Sequence, residues 1–151
     1  RELAAGVACR VVLLDGDRVR DLFGNDLGHD LDGRRRNAER ICRLCAFLDA
    51  QGIDVVCAIL SIFPESREWC RAHLRQYYEV FIDTPIEVLR QRDSKGLYAR
   101  HARGEIRDVA GLDLDFPRPS VPDLLIVNNG SLDALLAHAP VIADRICEVP
   151  A

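Results

Sequence analysis

Apolar residues of this chain fall into short unbroken runs and into longer stretches with helical spacing. The run at residues 11–14 contains β-branched residues and predicts a strand that is buried on both faces, as in parallel sheets. Comparable runs at 53–60, 78–82 and 124–127 predict three further strands. The chain is therefore expected to contain at least four strands separated by longer polar segments.

Helical spacing predicts the segments between these strands. One apolar stripe predicts a long helix that begins at a cap, Asp30 or Asp32, and runs to about Gln51. The members of that stripe are Ala38, Ile41, Leu44, Cys45 and Leu48. Shorter helices are expected over 17–23, 63–74 and 84–93, the last with Thr84 as N-cap and Pro85 at the first position.

The two ends of the chain carry helix signals as well. Ser131 is predicted to cap a terminal helix that Pro140 kinks or divides. Residues 1–5 are typical of the tail of a helix that Gly6 closes. Because the chain also has no methionine, we expect a further segment upstream of Arg1.

Strands that alternate with helices predict an α/β fold, a three-layer sandwich around an open parallel sheet. The length of 151 residues is that of one domain, so we assign residues 1–151 to a single unit. Residues 95–120 are polar, rich in arginine and poor in core residues, which is typical of a mobile lid over a site.

Composition and charge narrow the classes of partner. The formal net charge of −4 argues against a nucleic-acid partner, and the apolar runs are shorter than the ~20 residues of a membrane span. Cys42 and Cys45 form a C-x-x-C pair, but they lie in a helical pattern without a second ligand pair. Packing thiols are therefore favoured over a metal site, and a reducing, cytoplasmic location is expected.

Candidate chemistry begins directly after the first strand, where Asp15, Gly16 and Asp17 follow its last apolar residue. Ligands of open α/β sheets bind at the carboxyl ends of strands, and Arg18 and Arg20 add cations for a phosphate. The same Asp-Gly pair also suits an ordinary turn. Further polar groups at 61 and 95–107 follow other strands or strand–helix units. We expect these clusters to meet at one sheet edge, as a nucleotide kinase requires.

Several motifs, in the order they occur along nearly the whole chain, resemble those of adenylylsulfate kinases. They are Leu14-Asp15-Gly16-Asp17-x-x-Arg20, Asn25-Asp26-Leu27-Gly28, Arg34-x-x-Asn37, Arg92-Asp93-x-Lys95-Gly96-Leu97-Tyr98 and Gly104-Glu105-Ile106. The resemblance implies a P-loop nucleotide-kinase fold. It also implies that ATP and Mg²⁺ are used to phosphorylate the 3′-hydroxyl of adenylyl sulfate, giving 3′-phosphoadenylyl sulfate for sulfate assimilation. The expected partners are a small nucleotide acceptor and a second copy of the chain.

The resemblance also assigns roles by position. It places Asp17 beside the accepting hydroxyl and the metal ion, adds Ser61 as a second catalytic candidate, and directs Arg92 toward the base of ATP. The candidates for binding the acceptor are Asp15, Arg20, His29, Arg34, Asn37, Lys95, Leu97, Tyr98 and Val109.

Three departures from the family pattern leave alternatives open. The Walker A motif G-x-x-x-x-G-K-[ST] does not occur in the chain, and we expect it upstream of Arg1. His29 and Val109 stand where the family has aromatic residues that clamp adenine. The family segment F-I-S-P-Y becomes Leu60-Ser61-Ile62-Phe63-Pro64 in this chain.

The last two departures are similar to a sibling branch, the cytidine diphosphoramidate kinases of capsule modification. Two acceptors therefore stay open, with adenylyl sulfate ahead on the prevalence of its family. A kinase-like domain without catalysis, serving assembly or regulation, is a third alternative. The missing Walker A motif favours it, and the complete acceptor-side motifs oppose it.

Overall fold

The computed structural model describes residues 11–147 and confirms an α/β fold with parallel strands. Strand β1 (Val11–Asp15) pairs with β2 (Asp54–Ala58), and β3 (Val80–Asp83) pairs with β4 (Leu124–Val127). Both pairs are parallel. Within the described residues the strands form two separate two-stranded sheets, because no strand there hydrogen-bonds to both pairs.

Seven helices lie within the described part of the chain, and most of them follow the predicted positions. They are α1 (Gly16–Leu22), α2 (Leu31–Asp49), α3 (Pro64–His73), α4 (Ile86–Arg92), α5 (Leu97–Ala102), α6 (Leu132–Leu136) and α7 (Ala139–Cys147). Asp30 caps α2 by accepting a 2.9 Å hydrogen bond from the amide of Gly33. Ser131 caps α6, and the predicted division of the terminal helix falls between α6 and α7. The predicted helix tail at residues 1–5 lies outside the described residues.

Two helix predictions need correction. Thr84 is not the N-cap of α4: that position belongs to Pro85, whose ψ of 141° is extended, so the helix begins one residue later. The sequence pattern also missed α5 inside the lid. Its start is stabilised by Asp93, whose carboxylate accepts hydrogen bonds from the amides of Tyr98 (3.1 Å) and Ala99 (3.0 Å).

The core forms where α1 and α2 pack on the first strand pair. Val19, Ile41 and Cys45 are buried together, and half-buried apolar side chains of β1, β2 and the following segment pack against them. Cys42 is also buried, and its sulfur lies 3.5 Å from the sulfur of Cys70 on α3. Cys42 and Cys45 thus pack in the interior, as predicted.

The apolar side chains of the second strand pair are more exposed than those of the core. Ile82, Leu125 and Val127 each expose about half of their surface (49%, 54% and 58%). Parallel strands are normally covered on both faces, but the described residues cover these strands only in part, with Ile126 of β4 buried. No helix within residues 11–147 has both the length and the apolar character that crossing a bilayer requires.

Candidate active site

A cleft of about 160 Å³ opens at the carboxyl end of β1. Helix α1, the loop before α2, the first turns of α2 and the segment after β2 form its walls. The lining residues are Gly16, Asp17, Arg20, His29, Arg34, Asn37, Ala38, Ile41, Ile59, Leu60, Ile62 and Phe63. Five of the predicted site residues therefore share one cleft, which combines a carboxylate, two guanidinium groups and a carboxamide with apolar walls.

The carboxylate of Asp15 sets up the polar end of the cleft. It caps α1 and accepts hydrogen bonds from the amides of Asp17 and Arg18, both at 3.1 Å. This use of the Asp15 side chain is the turn chemistry that the sequence also allowed. As a consequence, Asp17 stands in the first helical turn with its side chain exposed to the cleft and to solvent.

Asp17 is in contact with the lid. The ammonium of Lys95 lies 2.8 Å from Oδ2 of Asp17, and this hydrogen bond lowers the pKa of Asp17 and raises that of Lys95. Both side chains are mostly exposed, and ion pairs of this kind contribute at most about 1 kcal/mol. Another charged group can therefore separate the pair at little cost.

Arg20 is buried in the cleft wall and supports the neighbouring loop. Its Nη1 donates to the carbonyls of Leu27 (3.0 Å) and Gly28 (3.2 Å). This attaches α1 to the loop that carries His29. On α2, Nε of Arg34 donates to the carbonyl of His29 at 2.7 Å. The two predicted anion-binding arginines thus also shape the loop between the helices.

Asn37 has an unmet hydrogen-bonding requirement. Its side chain lines the cleft and is 7% exposed, and its Oδ1 atom is buried without a partner among the described residues. An unpaired buried acceptor costs about 1–3 kcal/mol. A hydroxyl or amino group placed against this oxygen would supply the missing hydrogen bond.

The segment after β2 forms the apolar wall. Ser61 is half-buried between Leu60 and Ile62, which line the cleft. Phe63 is buried, and the guanidinium of Arg35 lies 4.5 Å from the centre of its ring, a cation–π contact. Neither Phe63 nor Arg35 was assigned a role from the sequence, where the only available signal was an aromatic residue shortly after a strand.

The remaining lid residues lie outside the cleft lining. Leu97 and Tyr98 lie at the start of α5, shortly after Lys95 in the chain, and burial raises the pKa of Tyr98. Val109 is buried, and its amide donates to Asp113 at 2.7 Å. Arg100 and Arg103 both pair with Glu105 within the lid.

Arg92 is placed away from these groups. Its two terminal nitrogens donate to Oδ1 of Asn128 (3.2 Å) and to the carbonyl of Gly130 (2.6 Å). They attach α4 to the turn after β4. The predicted residue for the ATP base and the predicted acceptor residues thus occupy different parts of the molecule.

Comparison with known proteins identifies what this arrangement is similar to. Residues 2–127 match the family described as adenylylsulphate kinase. A cytidine diphosphoramidate kinase from Campylobacter jejuni is 32% identical over 136 residues, which cover 90% of this chain and 78% of that protein. An adenylyl-sulfate kinase from Aeromonas salmonicida is 37% identical over 135 residues, covering 88% of this chain and 69% of that protein.

A solved structure is similar over nearly the whole chain. It is the Mycobacterium tuberculosis APS kinase in complex with AMPPNP and APS, with a TM-score of 0.80 and 32% sequence identity. The match covers 95% of this chain and 83% of that chain. The fold expected from the sequence motifs is therefore confirmed at the level of the whole chain.

Proposed function

This chain belongs to the adenylylsulfate kinase family of phosphotransferases, and on that premise we propose that it phosphorylates the 3′-hydroxyl of a nucleotide acceptor, adenylyl sulfate first, with ATP as donor. The observation that carries the proposal is the cleft itself. It holds a carboxylate, two arginines and an unpaired carboxamide oxygen within one cavity of about 160 Å³. An anionic molecule that bears hydroxyl groups matches this set of side chains.

Each polar group of the cleft has a task in this reaction. Arg20 and Arg34 attract the anionic groups of the acceptor, and Oδ1 of Asn37 accepts a hydrogen bond from one of its hydroxyl or amino groups. Asp17 orients the hydroxyl that attacks the γ-phosphate and accepts its proton. Phosphoryl transfer depends mainly on positioning and electrostatics, so a prearranged set of this kind is what the reaction needs.

The polar end of the cleft offers one exposed carboxylate, that of Asp17, as a ligand for Mg²⁺. Mg²⁺ is commonly held by one or two carboxylates together with substrate phosphates and water. The exposed carboxylate of Asp17 offers one such oxygen, while one oxygen of Asp15 already caps α1. Asp17 would hold the ion, which neutralises phosphate charge when it is bound.

Lys95 serves as the movable cation of the site. In the described structure its ammonium neutralises Asp17, across 78 residues of chain. When acceptor and ATP occupy the cleft, their phosphates compete for the ammonium, and the carboxylate of Asp17 becomes available to the hydroxyl. Lys95 therefore links occupancy of the cleft to the position of the lid.

Cytidine diphosphoramidate is the second candidate acceptor, and two residues favour it. His29 and Val109 replace the aromatic residues that clamp adenine in the family, so less ring surface is available for a purine. In addition, a relative named cytidine diphosphoramidate kinase is 32% identical over 90% of this chain. A pyrimidine needs less stacking surface than a purine does.

One experiment distinguishes these acceptors. The protein is expressed from its complete open reading frame, and kcat/KM is measured for adenylyl sulfate and for cytidine diphosphoramidate side by side, with saturating Mg-ATP. A preference of at least tenfold, about 1.4 kcal/mol, assigns the acceptor. Phosphate transfer to neither compound would contradict the proposal and favour a non-catalytic, kinase-like domain. We also predict a homodimer, which light scattering can test, and a cytoplasmic location.

A further inference from the structure

One mostly buried guanidinium connects the segment that forms the cleft wall to the lid near its end. Arg67 of α3 donates through Nη1 to the carbonyl of Ser61 at 2.7 Å and through Nη2 to the carbonyl of Pro117 at 3.2 Å. Its Nε lies 3.2 Å from Oε1 of Glu79. The Arg67 and Glu79 side chains expose only 11% and 12% of their surface.

These contacts connect three separate parts of the chain. Ser61 lies between the cleft-lining residues Leu60 and Ile62, Pro117 lies near the end of the lid, and Glu79 lies just before β3. The guanidinium is planar and its N–H groups point in fixed directions, so the positions of its partners are fixed relative to one another. A shift of either carbonyl therefore breaks a bond in a place where water does not easily replace it.

The carboxylate that holds Arg67 is itself well anchored. Glu79 also pairs with Arg71 at 3.1 Å, and its amide donates to Asp123 at 2.7 Å. Asp123 lies directly before β4 and pairs with Arg71 as well. Arg67 is thus attached to the base of the second strand pair.

The lid end is attached at a second point next to the first. Arg118 pairs with Asp83, the last residue of β3, at 2.8 Å. Residues 117–118 are therefore held from α3 on one side and from β3 on the other. They are suited to act as the fixed point near the end of the lid about which the preceding lid residues move.

We propose that Arg67 is a positioning residue for the phosphoryl transfer, because it sets the distance between the cleft wall at residues 60–63 and the fixed point near the end of the lid. The proposal rests on the kinase function proposed above. When the lid closes over an acceptor, the wall and the lid meet the ligand in a relative position that Arg67 determines. Loss of the Arg67 hydrogen bonds displaces both the cleft wall and the lid. Small displacements of reacting groups slow a reaction by up to about 10²-fold.

Two variants of Arg67 and one control test this. Arg67→Lys keeps the positive charge but cannot bond both carbonyls and Glu79 in the same geometry, and Arg67→Gln removes the charge. Arg75→Gln is the control, because it removes an exposed arginine that pairs with Asp49 and belongs to none of the contacts of Arg67. We expect Arg67→Lys to lower kcat roughly tenfold or more, with KM for ATP within twofold, while Arg75→Gln keeps wild-type kcat.

Hydrogen exchange supplies a readout that does not depend on turnover. In Arg67→Lys, amides at 95–118 and at 60–63 are expected to exchange faster together, while those of β1 and α2 stay protected. Folded Arg67→Lys with wild-type kcat and unchanged exchange in both segments would overturn the proposal. A lower melting temperature alone, without these changes, also counts against it.

If Arg67→Lys does not fold, Glu79→Gln replaces it, since the amide keeps the shape of the carboxylate but loses its charge. Faster exchange at 60–63 and 95–118 supports the proposal, and unchanged exchange contradicts it. Failure of the proposed kinase function is recognised separately. In that case the wild-type protein would phosphorylate neither acceptor, while the faster hydrogen exchange of the variant would still be observed.

Discussion

Nη2 of Arg34 donates a 3.0 Å hydrogen bond to the carbonyl of Asp108, so the acceptor side of the cleft is joined directly to the lid. Asp108 has a positive φ of 60° and precedes Val109, which is buried. The same guanidinium also bonds the loop before α2. A group predicted to bind the anion of the acceptor thus also bonds the backbone of the lid.

Replacing Arg34 by lysine should release the lid. Lysine keeps the charge but cannot reach the carbonyls of His29 and Asp108 together, because it offers a single ammonium. We expect faster hydrogen exchange at 104–110 and a raised KM for the acceptor. Arg36→Lys, on the same helix but outside the cleft, is the control. Equal exchange in the two variants would show that the Arg34 contact does not hold the lid.

Removing Lys95 should change the ionisation of Asp17. The Lys95 hydrogen bond lowers the pKa of Asp17, so Lys95→Ala is expected to bring that pKa up toward 3.8, as seen in a carboxyl NMR titration. A carboxyl with a lowered pKa stabilises the fold above its unfolded pKa, and that contribution is lost as pH falls through the folded value. As the pH falls through that range, the free energy of unfolding of Lys95→Ala should therefore decrease less than that of the wild-type protein.

Arg103→Ala is the matched control for Lys95→Ala, because it removes a lid cation that pairs with Glu105 instead. The titration of Asp17 should be unchanged in it. An Asp17 pKa that stays low in Lys95→Ala would mean that the ion pair does not form in solution.

A side chain at Gly33 should destabilise the cleft. A Cβ there would lie 2.3 Å from the carbonyl oxygen of Gly28, closer than any real contact, so the loop that Arg20 and Arg34 hold must move. Overpacking of this kind costs about 1–3 kcal/mol, and Gly33→Ala should lower the denaturation midpoint accordingly. Gly130→Ala is the control, because its Cβ meets only Ala134 at 3.5 Å. Equal midpoints for the two variants would contradict the packing described.

Aromatic residues at positions 29 and 109 should report on the acceptor base. If the base is adenine, the double variant His29→Phe/Val109→Phe should raise kcat/KM for adenylyl sulfate, since stacking contributes about 1–3 kcal/mol per base. If the base is cytosine, the added rings should crowd the site and leave adenylyl sulfate a poor substrate. Circular dichroism of the variant separates a substrate effect from misfolding, since Val109 is buried.

The sequence predicted the elements whose signals are local. The apolar run at 124–127 became β4 with the expected bounds, and Asp30 and Ser131 cap their helices, because runs and caps depend on neighbouring residues. Helix α5 escaped prediction because it lies in a polar segment and its N-cap residue, Gly96, has no capping side chain; Asp93, a few residues earlier, satisfies its first amides instead.

The candidate site was predicted in part for a similar reason. Motif residues near one strand end were expected to meet, and Asp17, Arg20, His29, Arg34 and Asn37 do share the cleft. Arg67 gave no signal, because two of its partners are backbone carbonyls, 6 and 50 residues away. Contacts to a backbone carbonyl leave no residue pattern along the chain.

The central claim is that Asp17 acts on the accepting hydroxyl, and the kcat of Asp17→Asn tests it most directly. Asparagine keeps the size of the side chain but can neither accept the proton nor carry the charge. With protein from the complete open reading frame and the preferred acceptor, we expect kcat to fall by at least ~10²-fold while the acceptor KM changes little. Asp21→Asn, on the same helix but outside the cleft, should retain wild-type turnover. A near-normal kcat for Asp17→Asn would contradict the account and leave Asp17 as a residue of the helix start alone.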